Sequence, residues 1–146
     1  MKKRERPDME HFLTPMLALI VWTFVIWWVL FIRRVPAMNA VTKDAQEFIR
    51  NPALMDTLPD KAKWVGDNYD HLHEQPVLFY ALMVYLYLTK QGDQINLYLA
   101  WGYMGSRVVH SLIQTTSNKV LARFGVFVIG SLLLMIMAGR AVIALY

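Results

Sequence analysis

The chain has 146 residues, of which 56% are hydrophobic and 13% aromatic, with a mean hydropathy of +0.32 and no cysteine. The missing cysteines exclude a disulfide framework, thiolate metal sites and a thiol nucleophile carried by the protein itself. The 15 Lys and Arg against 11 Asp and Glu leave a net charge of +4, but the cations flank apolar runs, a pattern of membrane borders that gives no reason to expect nucleic acid.

A short charged segment, MKKRERPDMEH, opens the chain and is expected at a lipid surface. Residues 12–32 are apolar apart from Thr14, Pro15 and Thr23, long enough at 1.5 Å per residue to cross about 30 Å of hydrocarbon. The run exceeds a signal-peptide core and ends in Arg33 and Arg34 instead of a cleavage site, so it is assigned as a first transmembrane helix. Pro15 falls in its first turn, where a proline breaks little. Residues 33–67 form the one long polar connection, punctuated by Pro36, Pro52 and Pro59, with one or two short surface helices expected in it.

The stretch KWVGDNYDHLHEQPVLFYALMVYLYLTK, Lys63 to Lys90, begins polar and ends apolar. Taken as one helix, it sets Asp67, His71, Glu74 and Leu78 on one stripe, by offsets of four, three and four. The second span is placed at about 68–89, with Pro76 as an internal kink, and KQGDQ closes a loop through Gly92. The third span, about 95–116, repeats the four, three, four spacing in Tyr103, Arg107, His110 and Gln114. Arg107 lies too deep to snorkel easily and should turn inward to a partner, for which Glu74 is the first choice. The fourth span, about 123–146, begins at Arg123 and offers Gly125, Gly130 and Gly139 for close approach; Arg140 is expected to snorkel. These elements predict an all-α, multi-pass integral membrane protein, one domain over 1–146 built as a four-transmembrane-helix bundle. The Lys and Arg distribution modestly favours both termini outside.

That topology brings Asp67, His71 and Glu74 towards Arg107, His110 and Gln114 at one interface, with Arg123 beside the start of the last helix. Free N–H groups there favour an anion, and a thiol bound next to them would ionise more readily.

Two motifs, HLHEQPVLFYAL at 71–82 and SRVVHSLIQTTSNKVLARF at 106–124, resemble those of the MAPEG family, the membrane-associated proteins in eicosanoid and glutathione metabolism. Glu74 with Pro76, Arg107 with His110, and Arg123 sixteen residues after Arg107 match the family pattern. The resemblance implies a homotrimer of four-helix subunits that binds glutathione as thiol co-substrate. It implies that Glu74 and Arg107 help bind the tripeptide and that Arg123 is catalytic, stabilising the thiolate; His71, His110, Gln114 and Tyr103, from the same two helical stripes, are the neighbouring binding candidates. The implied activity is a transferase or peroxidase acting on a lipophilic small molecule that enters from membrane lipid. The sequence departs from the family at His71, where Asn is usual, and at Asp67 and Asp70, where arginines are frequent.

Two other readings fit the same residues. One is a catalytically silent structural or lipid-binding trimer, in which Glu74 and Arg107 only fix helix register. The other is a metal- or haem-binding bundle using His71, His73 and His110, although the paired ligand pattern of a dinuclear site is missing and no metal ligand set is assigned.

Overall fold

The computed structural model describes residues 11–146, so the charged N-terminal segment lies outside the described residues except for His11. Among the described residues all regular elements are helical: α1 (Thr14–Val41), α2 (Glu47–Arg50), a 3-10 helix (Pro52–Thr57), α3 (Asp60–His71), α4 (Pro76–Leu88), α5 (Gln94–Thr116) and α6 (Val120–Ile143).

Helix α1 starts with Pro15 buried in its first turn and runs for 28 residues, past Arg33, Arg34 and Pro36. It is therefore longer than the span expected at 12–32, because a helix need not stop where its charges begin. Arg33 Nη1 donates to the Thr115 carbonyl at 2.8 Å, satisfying one of the carbonyls that the last turn of α5 leaves without a helical donor. Arg34 lies across Gly66, where a Cβ would strike its guanidinium, and its Nη2 stands 3.6 Å from Met55 Sδ. The polar connection is thus mostly helical and folded back on α1.

The single helix expected from Lys63 to Lys90 is two. α3 ends at His71 and α4 begins at Pro76, so Pro76 is a first-turn residue and not an internal kink. A proline lacks only an N–H that the first turn would leave unpaired, which makes this the low-cost place for it. The loop before α5 takes its left-handed residue at Lys90 (φ 57°) and not at Gly92. Gly92 is needed for another reason: a Cβ there would come within 3.1 Å of the Phe12 ring.

At one end of the bundle the start of α1, the α4–α5 loop and the end of α6 meet. Arg140, expected to snorkel, is held by two partners at this end. It donates through Nη2 to Asp93 Oδ2 at 2.5 Å and through Nε to Asn96 Oδ1 at 3.0 Å, while Asp93 Oδ1 caps α5 by accepting from Asn96 N at 2.8 Å. Replacing Asp93 by Ala removes the cap and the bridge together, and thermal unfolding should show a loss of about 1–2 kcal/mol.

The core is built from Leu19 and Ile26 of α1, Phe79 and Met83 of α4, Ala100 and Tyr103 of α5, and Leu134 and Met137 of α6. Outside it the surface is apolar: Phe24, Trp28 and Ile32 of α1 and Ile129, Leu132 and Ile136 of α6 are all exposed. α5 has the reverse character, burying Asn96, Arg107, His110, Ser111 and Gln114. Polar groups inside and hydrocarbon outside suit a lipid solvent. Two helices, α1 and α6, are long and apolar enough to cross a membrane.

Candidate functional site

Three elements converge at the end of the bundle opposite Asp93. The α3–α4 junction supplies His71, Glu74 and Gln75, α5 supplies Arg107 and His110, and α6 supplies Val120, Arg123, Phe124 and Phe127; together they line a cavity of about 260 Å³. The break after His71 turns Glu74 back on it, and His71 Nδ1 lies 3.0 Å from Glu74 Oε2. The His71 ring meets that of His110 edge to face, with centroids 6.0 Å apart and planes at 84°.

Arg107 is 3% exposed and is not paired with Glu74: no carboxylate among the described residues lies within 4.0 Å of it. Its guanidinium carbon instead sits 5.1 Å from the Tyr103 ring centre and 5.3 Å from that of Phe127, a geometry in which two aromatic faces take the place of a counterion. Nη2 donates to the Phe127 carbonyl at 3.4 Å, and Nε is buried without a partner. Because the two groups do not meet, Glu74→Gln and Arg107→Met should destabilise the ligand-free protein additively, within about 0.5 kcal/mol. A double-mutant cycle by chemical or thermal unfolding checks it.

Arg123 stands in the first turn of α6, and its Nη1 donates to Asn118 Oδ1 at 2.6 Å. Asn118 adopts a left-handed conformation (φ 47°), which asparagine tolerates better than most residues. The turn therefore sets both the direction of α6 and the aim of the arginine.

The structure brings His71, Glu74, Arg107, His110 and Arg123 to one cavity and leaves Tyr103 and Gln114 out of its lining. Tyr103 is fully buried, stacked on Phe79 with centroids 4.6 Å apart, and its hydroxyl donates to Gln75 Oε1 at 3.4 Å. Gln114 Oε1 accepts from Asn68 Nδ2 at 3.0 Å in the packed seam between α3 and α5. Asp67 is also elsewhere, in a separate cleft with Arg34 and Lys63, and Asp70 is exposed. Neither acid lines the cavity that Arg107 and Arg123 share. His73 turns away, its Nδ1 within 2.8 Å of the Tyr69 carbonyl, and among the described residues no three metal-binding side chains gather.

Sequence reasoning missed Gln75, whose Nε2 donates to Ser131 Oγ at 2.8 Å, and the wall of Val120, Phe124 and Phe127. The i, i+3, i+4 and i+7 spacing of Val120, Arg123, Phe124 and Phe127 was visible in the sequence as one face of a helix starting before Arg123.

The model of the MAPEG family matches residues 12–143. No curated protein and no solved structure matches the chain.

Proposed function

Because this chain belongs to the MAPEG family, we propose that it is a four-span membrane protein, trimeric in lipid, that activates glutathione against a lipophilic electrophile. The single observation supporting this most strongly is the union of two arginines with an apolar wall in one cavity: Arg107 and Arg123 face it together with Val120, Phe124 and Phe127. Cations and the free N–H groups at the start of α6 favour a bound anion. The phenylalanines and valine offer a path for a hydrocarbon-soluble partner.

In this reading Arg107, Glu74 and His110 hold the tripeptide, and Arg123 faces its sulfur. α5, with 23 residues, is about 35 Å long at 1.5 Å per residue, enough to span the hydrocarbon, and α4 completes the crossing begun at the α3–α4 junction. The thiolate attacks an electrophilic carbon, an S–C bond forms, and the leaving group departs with its electron pair. A hydroperoxide would instead be reduced: the thiolate attacks the outer oxygen, the O–O bond breaks to release the alcohol, and a second glutathione displaces water from the oxidised sulfur to give the disulfide.

The test is conjugation of glutathione to a chloronitrobenzene by protein reconstituted in lipid. A saturable rate above the uncatalysed background supports the reading. A rate equal to background, with glutathione and electrophile both in excess, favours the catalytically silent alternative.

A further inference from the structure

The His71–Glu74 contact has no role in the reading above beyond binding. The cavity holds one carboxylate, Glu74, and it is spent on a histidine instead of on either arginine. With Nδ1 facing a carboxylate oxygen 3.0 Å away, the neutral ring favours the tautomer with its proton on Nδ1, in which Nε2 carries the lone pair. A carboxylate behind a histidine orients the ring and stabilises the imidazolium that forms when the far nitrogen takes a proton.

Resting on the glutathione reading, we propose that His71 is a catalytic base and Glu74 its positioning residue: the imidazole takes the proton of the bound thiol and keeps it inside the cavity. The thiol S–H bond breaks, its electron pair stays on sulfur facing Arg123, and the proton moves to His71 Nε2. After the S–C bond forms, the proton leaves His71 with the departing anion or to water, which restores the base. The groups that bear on His71 are Glu74 from the α3–α4 junction, His110 and Arg107 from α5 and Arg123 from α6, all on the same cavity. Three of these are cationic or can become so and oppose a charge on His71. Glu74 and the new thiolate offset them.

The distinguishing readout is where the thiol proton goes. Glutathione is titrated into the lipid-reconstituted protein in two buffers of different ionisation heat, while the ultraviolet absorbance of the thiolate is followed. In the wild type, each thiolate should form with close to no proton released to buffer. In His71→Asn and His71→Gln the thiolate should still form at raised pH under Arg123, now with about one proton released per thiolate, and Glu74→Gln should move the same way. At neutral pH kcat of the His71 variants should fall about 10-fold, within the ceiling of about 30-fold that thiol ionisation sets at pH 7, with little change in KM. One proton released by wild type and variants alike, with thiolate present in all, overturns the role of His71 and leaves the glutathione reading standing. No thiolate in the wild type overturns both.

Discussion

Arg123→Ala is expected to reduce the conjugation rate at pH 7 by about 30-fold, with the deficit shrinking as the pH rises. The size follows from the thiol: with an unperturbed pKa near 8.5, only about 3% is thiolate at pH 7, so complete ionisation in the site is worth about 30-fold. Above the thiol's own ionisation the arginine adds little to the thiolate population, and the variant should approach the wild type. Arg123→Lys should retain part of the rate, because a point charge keeps the attraction without the planar donor pair. Asn118→Ala, which frees the guanidinium held at 2.6 Å, should give an intermediate loss. Rates measured from pH 6 to pH 9 for the three variants check the series. A deficit that does not change with pH would place Arg123 in substrate binding and not in thiolate stabilisation.

The largest stability effect is expected at Gly130. Its missing Cβ is where Ser106 Oγ and Arg107 Nη2 lie, on the helix pair α5 and α6, the most extensive packing in the fold. Gly130→Val forces this pair apart and should cost at least the about 1–3 kcal/mol of an overpacked core, while displacing Arg107 from the cavity. Gly125 and Gly139, on the same helix, have nothing within 4 Å of their missing Cβ atoms, so they are not close-approach positions within the subunit as the sequence had indicated. Replacing either by Ala should stabilise by about 0.5–1 kcal/mol through the helix backbone alone. Thermal unfolding of the three variants tests the contrast, and equal behaviour at all three positions would contradict it.

Much of the fold is legible in the sequence because its signals are local. The run of 12–32 and the stretch after Arg123 are apolar over whole helix lengths, and the offsets from Tyr103 to Gln114 mark one buried face. What periodicity does not carry is depth along that face. Tyr103 and Gln114 point the same way as Arg107 and His110, yet Gln75 and Asn68 meet them first and close them off. Partner choice was equally hidden. Glu74 and Arg107 are complementary charges, but the break at His71 hands Glu74 to the histidine, and two aromatic rings occupy the arginine. Pro76 fits both a kink and a helix start, and the structure shows the start. Arg140 shows the same limit, since a snorkelling arginine and one clamped by Asp93 and Asn96 have the same local sequence.

Glutathione titrated at pH 7 into the protein in lipid, followed at the thiolate absorption band, tests the central claim most directly. The account predicts a saturable rise in thiolate that Arg123→Ala abolishes at that pH while binding heat persists. Binding without any thiolate band, or a band equally strong in the variant, contradicts it.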